Sequence, residues 1–133
     1  DFKKVELSKI INKVVKGKNI KLDLDESIVK VNEDSIYELI SILVDNAIKY
    51  GENKDVNVSL KNKVLKIKDN GIGISEVDLP HIFDRFYRGD KARSHDGYGL
   101  GLSIAKQIAD IHSAKIKVES KLGVGTTFKV IFS

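Results

Sequence analysis

The chain has 133 residues, 41% of them apolar and 32% charged, with a formal net charge of +4. That length supports one core without covalent staples, because about two-thirds of the unfolded surface is buried at this mass, and it is short for two domains. The absence of cysteine excludes a disulfide framework, thiolate zinc sites and thiol catalysis. His81, His95 and His112 are too scattered for a metal-ligand pattern, and no apolar run approaches the ~20 residues of a membrane-spanning helix. Residues 1–22 hold seven lysines against Asp1 and Glu6, with Phe2 as the lone aromatic. This reads as a solvated helix face or a contact with an acidic partner, and does not support nucleic-acid binding.

In chain order, Val5, Leu7, Ile10, Ile11, Val14 and Val15 recur at helical spacing, with Gly17 as the stop. Residues 20–25 alternate apolar and polar as a half-buried strand does, and 28–32 form a second short strand. Residues 34–50 give the strongest helix. Strands over 56–60 and 64–68 follow, joined by Lys61-Asn62-Lys63 at hairpin length. A glycine-punctuated stretch then runs to about residue 100 and includes HIFDRFYR (81–88). A helix over about 102–112 and two closing strands, 115–120 and 126–132, complete the chain. Helices with an antiparallel-rich sheet and no regular βαβ rhythm predict a two-layer α+β domain spanning 1–133.

Three segments have chemical potential. On helix 34–50, a 100° spacing places Ile36, Ile40, Leu43 and Ala47 on one apolar stripe. Asn46, Lys49 and Tyr50 run along its edge beside Ile42. An amide oxygen, an ammonium and an aromatic ring there can serve a metal, a phosphate and a flat base, or simply be a helix edge meeting solvent. DNGIGI (69–74) follows a strand; Gly71 and Gly73 permit positive φ or close backbone approach, although such a sequence is also a common turn. GYGLGL (97–102) opens a helix, where exposed amides and the helix dipole favour phosphate, or where a helix simply begins flexibly. Neither the Rossmann nor the Walker spacing occurs. Arg85, Arg88, Lys91 and Arg93 lie between the last two segments.

LVDNAIKY, DNGIGI, FDRFYRGD and GYGLGLSIAK in that order resemble the N, G1, F and G2 boxes of the catalytic and ATP-binding domain of sensor histidine kinases. That superfamily also holds the gyrase, heat-shock chaperone and mismatch-repair ATPases. GVGTTF (123–128) is similar to its last glycine-rich turn, and the resemblance covers essentially the whole chain. It implies a Bergerat-type α/β sandwich, with a mixed, mostly antiparallel sheet of about five strands on about three helices. It implies ATP and Mg²⁺ as ligands. Asn46 would hold Mg²⁺ against the triphosphate, Lys49 would contact phosphate and Tyr50 would pack on adenine. Asp69 would accept the adenine amine, with Gly71, Gly73 and Ile74 beside the base. Arg88 would reach the γ-phosphate. Gly97, Tyr98, Gly99, Leu100, Gly101 and Leu102 would wrap the phosphates, Thr126 would complete the site, and residues 89–96 would form a lid. Asn46, Lys49 and Arg88 are thus the expected catalytic group.

The chain departs from the family pattern at several positions. Ile42 stands where the kinases often have Asn and the hydrolysing relatives Glu, and an aliphatic side chain cannot act as a general base. Asp96-Gly97-Tyr98 replaces a common Gly-Gly-Thr, the lid is short and carries His95, and Ser113-Ala114 follows His112 where Gly-Gly is usual. No histidine sits in a His-Glu or His-Asp motif on a long helix, so the phosphoacceptor is expected on a separate dimerisation domain. The resemblance implies transfer of the γ-phosphoryl group to that histidine, a downstream response regulator, a monomeric fragment and a cytoplasmic location. It implies no nucleic-acid partner and no membrane contact by these residues. Competing readings are a nucleotide-sensing module without transfer, an ATP-driven clamp, and a serine kinase of the anti-sigma type.

Overall fold

The computed structural model describes residues 1–87 and 101–133. Its centre is a five-stranded sheet with helices on one face. Chain order gives β1 (Lys3–Glu6), α1 (Leu7–Val15), β2 (Ile20–Leu24), β3 (Ile28–Val31), α2 (Glu33–Tyr50), β4 (Val56–Lys61) and β5 (Val64–Asp69). A 3₁₀ turn (Leu79–His81) follows, then α3 (Gly101–Ile111), β6 (Lys115–Lys121) and β7 (Gly125–Ile131). The main sheet runs β2-β4-β5-β7-β6, and β1 pairs with β3 in a separate two-stranded ribbon. Among the described residues only β2 and β4 are parallel, and every other pairing is antiparallel. The expected mixed, mostly antiparallel α/β sandwich is what the chain adopts.

α2 forms where the periodicity placed it. The Asn32 side chain accepts the Ser35 N–H at 2.9 Å as the N-cap, and Glu33 and Asp34 sit in the first turn, where the helix dipole favours acidic groups. Its stripe of Ile36, Ile40, Leu43 and Ala47 is fully buried, against a sheet interior that includes Leu65, Ile67 and Phe128. Truncating one of these isoleucines to alanine would cost about 2–5 kcal/mol. α1 packs on α2, and α3 packs on α2 and β6. The alternate side chains of β5, β6 and β7 point to the other face of the sheet, where burial falls off sharply.

Two expectations need correction. Val5 belongs to β1 rather than to the first helix: it pairs with Val29, and the helix starts only at Leu7, whose N–H bonds the Ser27 carbonyl at 3.0 Å. Positions 5 and 7 satisfy both periods, so the distant β3 segment decides between them. The β4–β5 connection is also tighter than Lys61-Asn62-Lys63, because Lys61 pairs with Val64. Asn62 and Lys63 take φ of 50° and 66°, which makes a two-residue type I′ turn.

Candidate functional site

The edge of α2 opens on a cavity of about 230 Å³. Ile42, Asp45, Asn46 and Lys49 form its α2 wall, Ile82 and Tyr87 come from the segment after the 3₁₀ turn, and Gly101 and Leu102 from the start of α3. Asn46 is buried at 8% exposure, whereas Asp45 and Lys49 are exposed. Asn46 and Lys49 are three residues apart, so the helix sets an amide and an ammonium on one side of one opening. The first turn of α3 brings the positive end of a helix to the same opening.

The wall opposite α2 is held by its own contacts. Tyr87 donates its hydroxyl to Oδ1 of the buried Asp78 at 2.5 Å. The His81 ring stacks on Tyr87 at 5.1 Å, and its Nδ1 lies 3.1 Å from Asp84 Oδ2. Ile82 is buried, and Phe83 meets Phe128 edge-on at 6.2 Å. Sequence reasoning did not single out Asp45, Asp78, Ile82 or Tyr87. Tyr87 lay inside a recognised segment, but its pairing with Asp78 depends on a turn nine residues long that no periodicity announces.

The remaining expected residues form a second group that does not line this cavity. Tyr50 is buried at 5% exposure, and its carbonyl accepts the Ile72 N–H at 3.2 Å. Asp69 is 2% exposed and Oδ1 accepts the Gly71 N–H at 2.9 Å. A Cβ on Gly71 would lie 1.7 Å from the Tyr50 carbonyl oxygen, and one on Gly73, whose φ is +74°, would lie 2.2 Å from the Lys121 carbonyl oxygen. The close approach expected of these two glycines is therefore made first of all by the protein's own backbone. Asp69 pairs with Thr126 in the sheet. Thr126 Oγ1 shares a 2.8 Å hydrogen bond with Ser120 Oγ, which in turn accepts the Ile74 N–H at 2.7 Å. Ser120 is another residue the sequence did not flag.

α2 joins the two groups: Asn46 and Lys49 face the cavity, and the next residues, Tyr50 and Gly51, contact the Asp69–Gly71 turn. Gly101 lines the cavity, and among the described residues a Cβ there would meet only Ile42 at 3.7 Å. Arg88, Gly97, Tyr98, Gly99, Leu100 and the expected lid over 89–96 lie outside the described residues.

The family described as histidine kinase-, DNA gyrase B- and HSP90-like ATPase matches residues 31–133. The sensor histidine kinase YkoH of Bacillus subtilis is 43% identical over 147 aligned positions, which take in 100% of this chain and 32% of YkoH. The signal transduction histidine-protein kinase ArlS of Staphylococcus aureus is 49% identical over 111 positions, 78% of this chain and 25% of ArlS. The chain thus spans between a quarter and a third of these relatives. Among solved structures, the mycobacterial sensor histidine kinase MprB superposes with a TM-score of 0.87 at 21% identity, over 99% of this chain and 97% of that one. The catalytic domain of histidine kinase ThkA gives 0.76 at 26% identity, over 98% and 95%.

Proposed function

The chain belongs to the histidine kinase-, DNA gyrase B- and HSP90-like ATPase family, and from that premise we propose that it is the ATP-binding catalytic unit of a two-component sensor kinase. In this reading it binds ATP–Mg²⁺ and donates the γ-phosphoryl group to a histidine on a separate helical dimerisation domain. A response regulator then receives the group. The observation that carries the proposal is the shared cavity of Asn46, Lys49 and the α3 N-terminus, which sets three devices for a polyphosphate around one opening.

The donor set suits a cation that arrives with its nucleotide. Among the described residues no three His, Cys, Asp or Glu side chains form a cluster, so these residues offer no cage of their own. Mg²⁺ is ordinarily held by one or two protein oxygens plus substrate phosphates, and the Asn46 amide oxygen is the protein's contribution. When bound, the ion neutralises charge developing on the transferring phosphoryl group. Lys49 places a positive charge on the same side, and the α3 amides orient the phosphates. Asp69, held by the Gly71 N–H, presents a fixed carboxylate to the adenine amine. Guanine would set a carbonyl oxygen against it, so ATP is preferred. Tyr50 packs under the base, and Arg88 reaches the γ-phosphate.

The bond formed is from the γ-phosphorus to a histidine nitrogen, and the bond broken is from that phosphorus to the β,γ-bridging oxygen, with ADP leaving. The chain supplies position and charge for this exchange. Nothing at Ile42 activates water, which disfavours the clamp-type ATPase. Asp45 lines the same cavity but stands exposed at its rim. Calorimetry tests the binding site: Asn46→Ala weakens ATP–Mg²⁺ more than metal-free ADP, and Asp69→Asn weakens both by about 1–3 kcal/mol. Unchanged affinities in both variants would refute these assignments.

A further inference from the structure

The charge that the linear sequence hides becomes visible on the sheet. Lys66 on β5 lies opposite Lys129 on β7, and Lys129 lies opposite Lys117 on β6, so three lysines stand side by side across three strands. Directly opposed residues have Cβ atoms about 5 Å apart, and like charges there are unfavourable. Lys68, Lys115 and Lys121 extend the row along the same helix-free face, where Glu119 is the one outward carboxylate of β5, β6 and β7. None of these six lysines forms an ion pair among the described residues, whereas Lys21 and Lys61 nearby are neutralised by Asp55 and Asp23, both at 2.9 Å.

Edge protection explains only part of this. Lysines on β6 guard an edge strand from pairing with other chains, but β5 and β7 are interior strands and need no such guard. Solubility would be served as well by serine, threonine or mixed charges, as on β4, where Asn57 and Ser59 stand outward beside a Lys61 that pairs with Asp23. The face therefore maintains a same-sign cluster at a cost in stability.

We propose that this face is an adhesion surface for an anionic lipid bilayer. Its composition selects the occupant. Protein interfaces are enriched in aromatics and arginine and depleted in lysine, and nucleic-acid surfaces pair their basic residues with reading or stacking groups. Among the described residues this face has neither arginine nor an aromatic side chain; its apolar members are the half-buried Val64 and Ile131. Lysine is a compact charge on a flexible stem, suited to the diffuse potential of headgroups rather than to bidentate contacts. With no aromatic to insert, attachment is peripheral and electrostatic, and so sensitive to salt. The family resemblance implies no membrane contact, and lysines at alternate positions of three separate strands form no continuous basic run along the chain. The inference is independent of the nucleotide site.

The test is co-sedimentation of the purified chain with vesicles of phosphatidylcholine alone and of phosphatidylcholine with phosphatidylserine, at low and high salt. The expected result is binding to the phosphatidylserine vesicles only, lost at high salt. Each lysine at an anionic surface adds about fivefold in affinity, so the triple change Lys66→Glu, Lys117→Glu, Lys129→Glu lowers binding by more than about a hundredfold. The corresponding glutamine triple gives a smaller loss and decides the matter if the glutamate triple fails to fold by circular dichroism. Reversal of Lys9 and Lys16, exposed on α1 and at its C-terminal cap, changes binding less than about threefold. Absence of binding at low salt, equal binding to neutral vesicles, insensitivity to both sheet triples, or tighter binding to duplex DNA than to the vesicles would overturn the proposal.

Discussion

Ser113 shows how one residue can depart from a family pattern while the geometry is kept. The Ser113 N–H bonds the Asp110 carbonyl at 3.1 Å and the Ala114 N–H bonds that of Ala109 at 2.9 Å, which is a Schellman closure of α3. Its C′ position needs a left-handed residue, and Ser113 supplies it at φ 55° where the related kinases usually have glycine. The departure at Ser113-Ala114 thus places a strained residue at the end of α3. An L-residue there costs about 1–2 kcal/mol, partly offset by the extra unfolded-state entropy of glycine. Ser113→Gly is therefore expected to raise stability by about 0.5–1 kcal/mol in urea unfolding; a loss would show that the serine hydroxyl matters more than φ. Gly71 represents the opposite case, since its neighbour is backbone that cannot turn away.

At the scale of elements, two fastenings join parts of the chain distant in sequence. His112, at the end of α3, accepts the Asn32 N–H on Nε2 at 3.1 Å and donates Nδ1–H to the Ile108 carbonyl at 2.8 Å, while Phe2 stacks on its ring at 4.5 Å. One neutral imidazole thus ties α3, the cap of α2 and the entry to β1. The second fastening is Asp25, whose Oδ1 accepts both the hydroxyl and the N–H of Ser27 and whose Oδ2 accepts the Asn62 N–H at 2.8 Å. Ser27 Oγ in turn accepts the Lys63 N–H at 2.9 Å, so the loop after β2 clasps the β4–β5 turn. The Ser27 hydroxyl, then the Asn62 amide, hold the Asp25 carboxyl below its ordinary value of 3.8. A lowered acid stabilises the fold above the unfolded value and ceases to do so as pH falls through the folded one. Asp25→Asn is accordingly expected to be less stable than the parent at neutral pH. The difference shrinks below pH 3.8, as followed by urea midpoints across the acid range. A difference independent of pH would dissociate the clasp from the ionised carboxylate.

For the whole molecule, legibility followed sequence distance. α2 was legible because its apolar stripe and polar edge lie within about fifteen residues of one another, and the same helix carries Asn46 and Lys49 to the cavity. The β1–β3 ribbon was missed because Val5 fits two periods and its partner is more than twenty residues away. The cavity's far wall was missed for a similar reason: Tyr87 gains its place from Asp78 and His81, not from any spacing of its own. The lysine face was invisible because it exists only in the register of three strands. The family resemblance, by contrast, rested on four local segments, and the family match and the sandwich fold agree with it. What unites these levels is the claim that this domain presents the γ-phosphate of ATP to a histidine elsewhere in its parent protein. The most direct test is phosphohistidine formation from γ-labelled ATP by the full-length protein that contains this chain. The account predicts acid-labile label on a histidine outside these residues, abolished by Asn46→Ala and strongly reduced by Arg88→Ala. ATP binding without any phosphohistidine, or acid-stable label on serine, would contradict it.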